Sequence, residues 1–343
     1  MKHKIRLTVL LAFVILVLGM AVGSVFVTPA DSLTIVWHKL TDWFTHSSIP
    51  ASVKPTDVSI IWNMRLPRAL LAFVVGAALS VSGAVMQSIL KNPLASSYTL
   101  GVSSGASLGA ALVLLLGITI PVVSMFTLPI LGFAFGLGTI LLSIAVASRL
   151  DSGLENNTII LTGMVISLFT NAIVTLVSAV SREHIQRLIY WQMGSFSLKD
   201  WKTVFILAPI TLVGIIVTMH YNRELDMLTF GEEQAKSMGV NTVRIKWVLL
   251  IVAAAITGSA ISFVGVIGFV DLVAPHVVRK IFGARHRYVI PMSAVLGGAF
   301  MVACDLVART IVPNSDLPVG AITAIIGAPF FAYVYFSRRK EAA

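Results

Sequence analysis

The sequence predicts an all-α, polytopic integral membrane protein with about ten transmembrane helices. Hydrophobic residues make up 57% of the chain and charged residues only 12%, about half the charge a soluble domain carries. Mean hydropathy is +0.92. The ionisable residues collect at the ends of apolar runs long enough to cross a bilayer. The net charge of +10 does not indicate nucleic acid, because the basic residues form no aromatic-laced patch. One cysteine, Cys304, excludes an internal disulfide framework. The seven histidines form no helical pair at metal spacing. No resident metal, cofactor or catalytic residue is expected, and a metal handled here would arrive already wrapped in a ligand.

The charge-free runs give the spans in order. Met1 to Arg6, followed by apolar sequence from Leu7 to about Thr28, mimics a signal peptide. The spans that follow make it a first transmembrane helix instead. The segment from Thr28 to Met64 carries Trp37 and Trp43, which suggest an interfacial helix in a loop too small to capture a ligand. Ala69 to Leu90 is the second span. Asn92 to Ser148 holds no charge and suits two crossings joined near Gly117 to Pro121. Within it Gly101, Gly105 and Gly109 form a small-residue ladder, repeated by Gly132 and Gly136; such faces let backbones approach closely in lipid. Asn156 to Ser181 and Thr203 to Asn222 are the fifth and sixth spans, and Trp247 to about Val264 the seventh. Gly268 to Val278, short and interrupted by Asp271 and Pro275, is the eighth. Tyr288 to about Ala308 and Leu317 to Ser337 complete the set.

Charge bias supports the eighth crossing. With the N-terminus inside, about 16 of the 25 Lys and Arg residues fall on the cytoplasmic side, the majority that the positive-inside rule requires. Arg279, Lys280, Arg285 and Arg287 join them only if the chain crosses between Gly268 and Val278. Both termini are then cytoplasmic, with Arg338, Arg339 and Lys340 at the end of the last helix. A short span broken by Gly and Pro is a feature of transport pathways.

A polar island runs from His220 to Lys246. Gly231 can serve as an N-cap, and Glu232 and Glu233 occupy a first helical turn, where the dipole favours negative charge. Gly239 supplies a left-handed stop. The result is a two-turn helix, too short to cross a bilayer, bearing small Ala235 and flexible Met238. Either it is a solvated loop or it touches a soluble partner.

Polar residues inside the spans are few. The fifth carries Gly163, Ser167, Thr170, Asn171, Thr175 and Ser178 near one face, lining either a wet pathway or a helix–helix contact. Met86 and Gln87, near the inner end of the second span, are gate candidates, with interhelical hydrogen bonding by Gln87 the simpler account. Asp271 is the one carboxylate well inside an apolar segment, a functional candidate by default and expected near the outer mouth. Asp305 and Arg309 are spaced to pair with each other. No nucleotide-binding G-x-x-x-x-G-K-[ST] loop is present, and no Ser/His/Asp or HExxH arrangement suggests hydrolysis. An energised importer built on this chain must borrow both its motor and its receptor.

The chain resembles the permease subunits of binding-protein-dependent ABC importers for iron–siderophores, haem and cobalamin. The matching pieces run nearly end to end. They begin with Arg65-Leu66-Pro67-Arg68, Gly83-Ala84-Val85-Met86-Gln87, Asn92-Pro93-Leu94-Ala95 and Leu100-Gly101 with Gly105-Ala106. They continue through Tyr190-Trp191-Gln192-Met193-Gly194, the island from Gly231 to Val240, Ala274-Pro275-His276 with Arg279, and His286-Arg287. Asp305 with Arg309, Leu317-Pro318-Val319-Gly320 and Gly327-Ala328-Pro329 close the series.

The resemblance implies a type II ABC importer permease, with residues 1–343 as one transmembrane domain in a bacterial plasma membrane. It implies a homodimer or heterodimer with a second permease around a central path, above a cytoplasmic ABC ATPase dimer that performs the hydrolysis. Residues 228–240 become a coupling helix, with Gly231, Glu232, Glu233, Ala235, Met238 and Gly239 forming its ATPase contact. Arg65, Arg68 and Arg309 match positions that dock an extracellular or periplasmic binding protein. Ser167, Thr170, Asn171 and Ser178, with Met86 and Gln87, become path residues. Ser97 departs from a usual proline, Asp271 from a common glycine, Ala284-Arg285 from the usual run before His-Arg, and Asp316 from a usual glutamate. A ferric siderophore is the expected cargo, with cobalamin or haem as alternatives. An ion-coupled secondary transporter would need buried carboxylates, of which Asp271 alone qualifies.

Overall fold

The computed structural model describes residues 1–343 except 24, 46–49, 51–52, 152, 182–183, 313–314 and 342–343. The described residues fold into helices and connecting turns. The first span is α1 (Lys2–Ala21). It leads to an amphipathic helix, α2 (Pro29–Thr45), which carries the exposed Trp37; the Trp43 side chain lies outside the described residues. A short α3 (Pro55–Ser59) runs into a π-helical turn, Ile60–Arg65, at the entry to α4 (Leu66–Ile89). Pro67 accounts for the wide turn: it has no N–H, and its ring crowds the carbonyl four residues earlier.

The charge-free run yields α5 (Val102–Leu114), a 3-10 turn Pro121–Phe126 and α6 (Thr127–Leu150). The glycine ladder is the seam between them. A methyl group on Gly109 would come within 2.8 Å of the Gly132 nitrogen, and one on Gly136 within 3.0 Å of the Val102 carbonyl. The chain continues through α7 (Asn156–Val180), amphipathic α8 (Ile185–Gln192) and α9 (Trp201–His220). Next come α10 (Asn222–Phe230), α11 (Glu232–Ser237) and α12 (Thr242–Val264). The chain then turns through Gly265 (φ +83°) and Phe269 (φ +70°) into α13 (Val270–Phe282), which runs unbroken through Asp271 and Pro275, so the expected interruption lies before these residues and not at them. The chain closes with α14 (His286–Thr310) and α15 (Val319–Glu341). The Arg338, Arg339 and Lys340 side chains lie outside the described residues.

Among the described residues, seven helical segments are long and apolar enough to cross a membrane. The three remaining crossings of the sequence reading fall on α5 and α13, of 13 residues each, and on α15, whose apolar stretch among the described residues is Val319–Phe330. Of the long segments, those containing α4, α12 and α14 are the most enclosed and make the centre; those of α1, α7 and α9 form the rim. The α4–α14 seam is the tightest. A methyl on Gly297 would overlap the Ser80 hydroxyl, and one on Gly76 would overlap the Gly297 carbonyl. Such contact is what small residues permit where lipid offers no hydrophobic drive for association. Gly297→Ala is therefore expected to cost about 1–3 kcal/mol by overpacking, seen as a lower unfolding midpoint of the detergent-solubilised protein.

Two of the matching sequence pieces, Tyr190–Gly194 and Leu317–Gly320, meet beside the break. Ser195 N–H donates to the Val264 carbonyl at 2.8 Å, while Val319 and Gly320 donate to the Gly194 and Met193 carbonyls, each at 3.1 Å. Ser97, which departs from proline, is buried; its hydroxyl lies 2.5 Å from the Ser82 hydroxyl and accepts from Thr257 at 3.2 Å. The hydroxyl ties the turn after α4 to α4 itself and to α12, bonds a proline could not make.

Candidate functional site: polar clusters at opposite ends of the bundle

At one end, the C-terminus of α1, the N-terminus of α4 and the C-terminus of α14 converge. This brings Arg65, Arg68 and Arg309 around one cavity of about 610 Å³, lined also by Met64, Leu198 and Asp316. None of the three guanidinium groups is idle. Arg65 is buried and donates to the carbonyls of Met20 at 3.2 Å, Ala21 at 2.9 Å and Val25. Met20 and Ala21 are the last residues of α1, at the negative pole of its dipole, so Arg65 caps the end of that helix.

Arg68 grips Asp305 with Nε and Nη2, at 2.8–3.1 Å, and reaches Asp316 with Nη1 at 2.8 Å. Asp305 is only 2% exposed, whereas the Asp316 side chain is 40% exposed. Arg309 approaches Asp305 at 3.7 Å and donates to the Gly19 carbonyl. The expected Asp305–Arg309 pair thus exists, but Arg68 is the stronger partner. Partial burial pushes the Asp316 carboxyl up, yet hydrogen bonds from Ser197 and Arg68 outweigh it and hold the group below its ordinary value.

At the opposite end lie α10, which packs against α4 and α14 through buried Leu225 and Leu228, then α11 and the base of α12. Gly231 (φ +133°) precedes α11, and its carbonyl accepts from Ala235 at 2.9 Å. Gly239 (φ +85°) ends the helix. Its N–H bonds the Lys236 carbonyl at 2.9 Å while Val240 N–H reaches back to Ala235 at 3.0 Å, the double closure of a Schellman motif. Nothing lies within 4 Å of a Cβ at Gly239, so only backbone conformation restricts the position. Gly239→Val is expected to cost about 1–2 kcal/mol, and Gly239→Asn much less, in local order of the 231–240 amides by hydrogen exchange.

The buried face of α11 rests on Ala235, and Glu233, Lys236 and Met238 point outward. Phe230, 74% exposed, and Met238, 50% exposed, are large apolar groups beside these charges. Glu232 turns inward. It accepts from Lys246 Nζ at 2.6 Å, and Lys246, with no exposed side-chain surface, also donates to the Leu154 carbonyl at 2.6 Å. Lys246 was legible only as the last polar residue of the island. Beneath it, Asp151 organises the α6–α7 turn; bonds from the Glu155 and Gly153 amides hold its carboxyl below the usual value.

The fifth-span stripe falls along an edge of α7. Thr170 is buried, Ser167 and Ser178 are half-buried, and Asn171 and Thr175 are exposed. The hydroxyls of Thr170, Thr175 and Ser178 bond carbonyls one turn back, at 2.7–2.9 Å, which leaves the Asn171 amide and the Ser167 hydroxyl as the stripe's polar groups that hydrocarbon would leave unsatisfied. Met86 is fully buried. Gln87 donates to the Asp271 carbonyl at 3.2 Å and accepts from Arg279, which joins α4 to α13. Asp271 is not at the mouth beside the arginines. It is buried with its backbone against Gly83, six residues or about 9 Å from the far end of α4.

The chain is 39% identical over 325 residues to an uncharacterized ABC transporter permease protein, YvrB of Bacillus subtilis, covering 95% of this chain and 91% of the relative. It is 38% identical over 314 residues to the cobalamin import system permease protein BtuC of Halobacterium salinarum, covering 92% and 83%. A solved chain assigned to the metal-chelate type of ABC transporter, in an inward-facing conformation, superposes with a TM-score of 0.83 at 26% identity, over 98% of this chain and 100% of that one. The FecCD transport family model matches residues 10–337, and the chain belongs to that family of ABC importer permeases.

Proposed function

We propose that this permease carries a ferric siderophore through a bacterial plasma membrane, with both termini cytoplasmic, in an assembly with a second permease subunit and a pair of ABC ATPases. Hydrolysis belongs to the ATPases. A loaded binding protein docks over the cavity of Arg65, Arg68 and Arg309, and the segment 228–240 couples to the motor. The supporting observation is the double-capped α11, flanked by exposed Phe230 and Met238, at the end of the bundle opposite the arginine cluster. A capped helix with unburied apolar side chains suits a soluble partner better than a solvated loop.

The amide of Asn171 and the hydroxyl of Ser167 favour a wet path or a subunit contact along α7 over a lipid-facing surface. Arg65 supports docking indirectly, by fixing the end of α1 beside Arg68. The 38% identity to a cobalamin permease favours cobalamin as the second reading, since both cargoes are bulky chelates that need no protein metal ligand.

The test is uptake by cells with and without the chain, across radio-iron hydroxamate, catecholate and citrate chelates and labelled cobalamin, varying ATP and the proton gradient separately. ATP-dependent loss of an iron chelate is expected. Loss of cobalamin alone would establish the second reading, and loss that tracked the proton gradient would overturn the ABC mechanism.

A further inference from the structure

Three helices far apart in sequence are pinned together just above the α10–α11 segment. Asp226 on α10 accepts from both the backbone N–H of His286, at 2.9 Å, and its ring Nδ1, at 2.6 Å. A carboxylate from α10 thus caps the N-terminus of α14, where the helix dipole favours negative charge and the first amides lack partners. The other ring nitrogen, Nε2, lies 2.6 Å from the hydroxyl of Ser88 on α4. Arg279 on α13 donates to that hydroxyl and to the Ala84 carbonyl, each at 3.1 Å, and to Gln87. Gln87 in turn donates to the Asp271 carbonyl, at the start of α13. His286 and Ser88 are buried. Asp, His and Ser stand in line as in a hydrolase, but the Ser88 hydroxyl also meets the Ala84 carbonyl at 2.8 Å and the guanidinium of Arg279, and it is shut away from any substrate.

We propose that Asp226, His286, Ser88, Arg279 and Gln87 form a clasp that positions α14 and the broken helix α13 on the α10–α11 segment, so that a displacement of that segment is passed to the break at 265–271. The inference rests on the coupling role proposed for residues 228–240. Two further features suit it to transmission. The overlapping glycines make α4 and α14 one rigid pair, and α14 carries the line from His286 to Asp305 and Arg309 at the opposite end, about 29–35 Å away. Both ends of this rod are fixed by charged hydrogen bonds, which are stronger and more directional than neutral ones. Asp226, by contrast, belongs to α10, which leads directly into α11, so it would move with a docked partner.

Two measurements test the clasp in the full chain. In nanodiscs, Asp226→Asn, Ser88→Ala and His286→Gln are each expected to speed hydrogen exchange of the 266–272 amides about tenfold, a size typical of coupling between sites. The α5–α6 amides should be unchanged. Acceleration confined to the immediate neighbours of each substitution would overturn the proposal.

In host membranes, the tagged variants should retain the co-isolated ATPase and its basal hydrolysis while ATP-dependent uptake of the chelate carried by the wild type falls by a similar factor. Asp226→Asn combined with Arg279→Lys should be no worse than the more severe single variant, because both break one series connection. Fully additive losses would point to separate structural roles and overturn it. If wild-type uptake itself proves independent of ATP, the transport reading fails while the exchange measurement still decides the clasp.

Discussion

Glu232→Ala is expected to destabilise the α11 end of the protein by about 3 kcal/mol or more, the cost of stripping one partner from a buried ion pair. The reason is Lys246. Its ammonium has no exposed side-chain surface, and its two recorded partners are the Glu232 carboxylate and the Leu154 carbonyl. Removing the carboxylate leaves a buried charge with one neutral acceptor, which low-dielectric surroundings punish. Glu232→Ala should therefore lower the unfolding midpoint in detergent and loosen the 150–156 turn together with α11.

Glu232→Gln keeps an acceptor and should lose less. Lys246→Met, which removes the charge from an apolar setting, should make Glu232→Ala nearly neutral. If Glu232→Ala alone leaves the midpoint unchanged, Lys246 is not held as described. The consequence for function is that Glu232 is a poor choice for testing coupling in isolation. Met238→Ala and Phe230→Ala are cleaner, because both side chains stand out from the bundle and removing them uncovers nothing.

This example marks where sequence reading stopped. The helix of α11 was legible because its signals are local: glycine at each end and glutamates in the first turn. The spans were legible for the same reason, since bilayer thickness imposes a length on each run. A short eighth span was legible from Gly268, Asp271 and Pro275, but the break itself falls at 265–269, ahead of α13. What stayed hidden depends on residues that meet only in three dimensions. Asp226 and His286 are 60 positions apart and Ser88 and His286 are 198 apart, so no spacing announces them.

The short helices α8 and α10 were missed as well. Their signals, such as Leu225 and Leu228 three apart and both buried, are too brief to stand out beside long apolar runs. Asp271 was misplaced because charge patterns fix which side a loop lies on, but not how deep a helix start is buried.

Arg68→Ala should produce the second large effect, and its analysis separates fold from docking. Asp305 would lose its close bidentate partner and retain only Arg309 at 3.7 Å, so a stability loss of about 3 kcal/mol is again expected. Arg68→Lys should restore little, because an ammonium cannot reproduce the planar fork that holds Asp305 and still reaches Asp316. A fall in binding-protein affinity in either variant would thus mix damage to the fold with loss of a contact.

Asp316 resolves the two. Its side chain is 40% exposed and occupies the outward-facing Nη1 of Arg68, the position an acidic residue on a docking partner would need. Replacing it with Asn weakens a competitor worth about 0.5–1 kcal/mol at such exposure, with little cost to the fold. If Arg68 docks an acidic partner, Asp316→Asn should tighten binding about two- to fivefold and make association more sensitive to salt, since a net positive charge would be uncovered. Unchanged or weaker binding would mean that Arg68 serves Asp305 alone, and that the arginine cluster holds three helix ends together without meeting a partner.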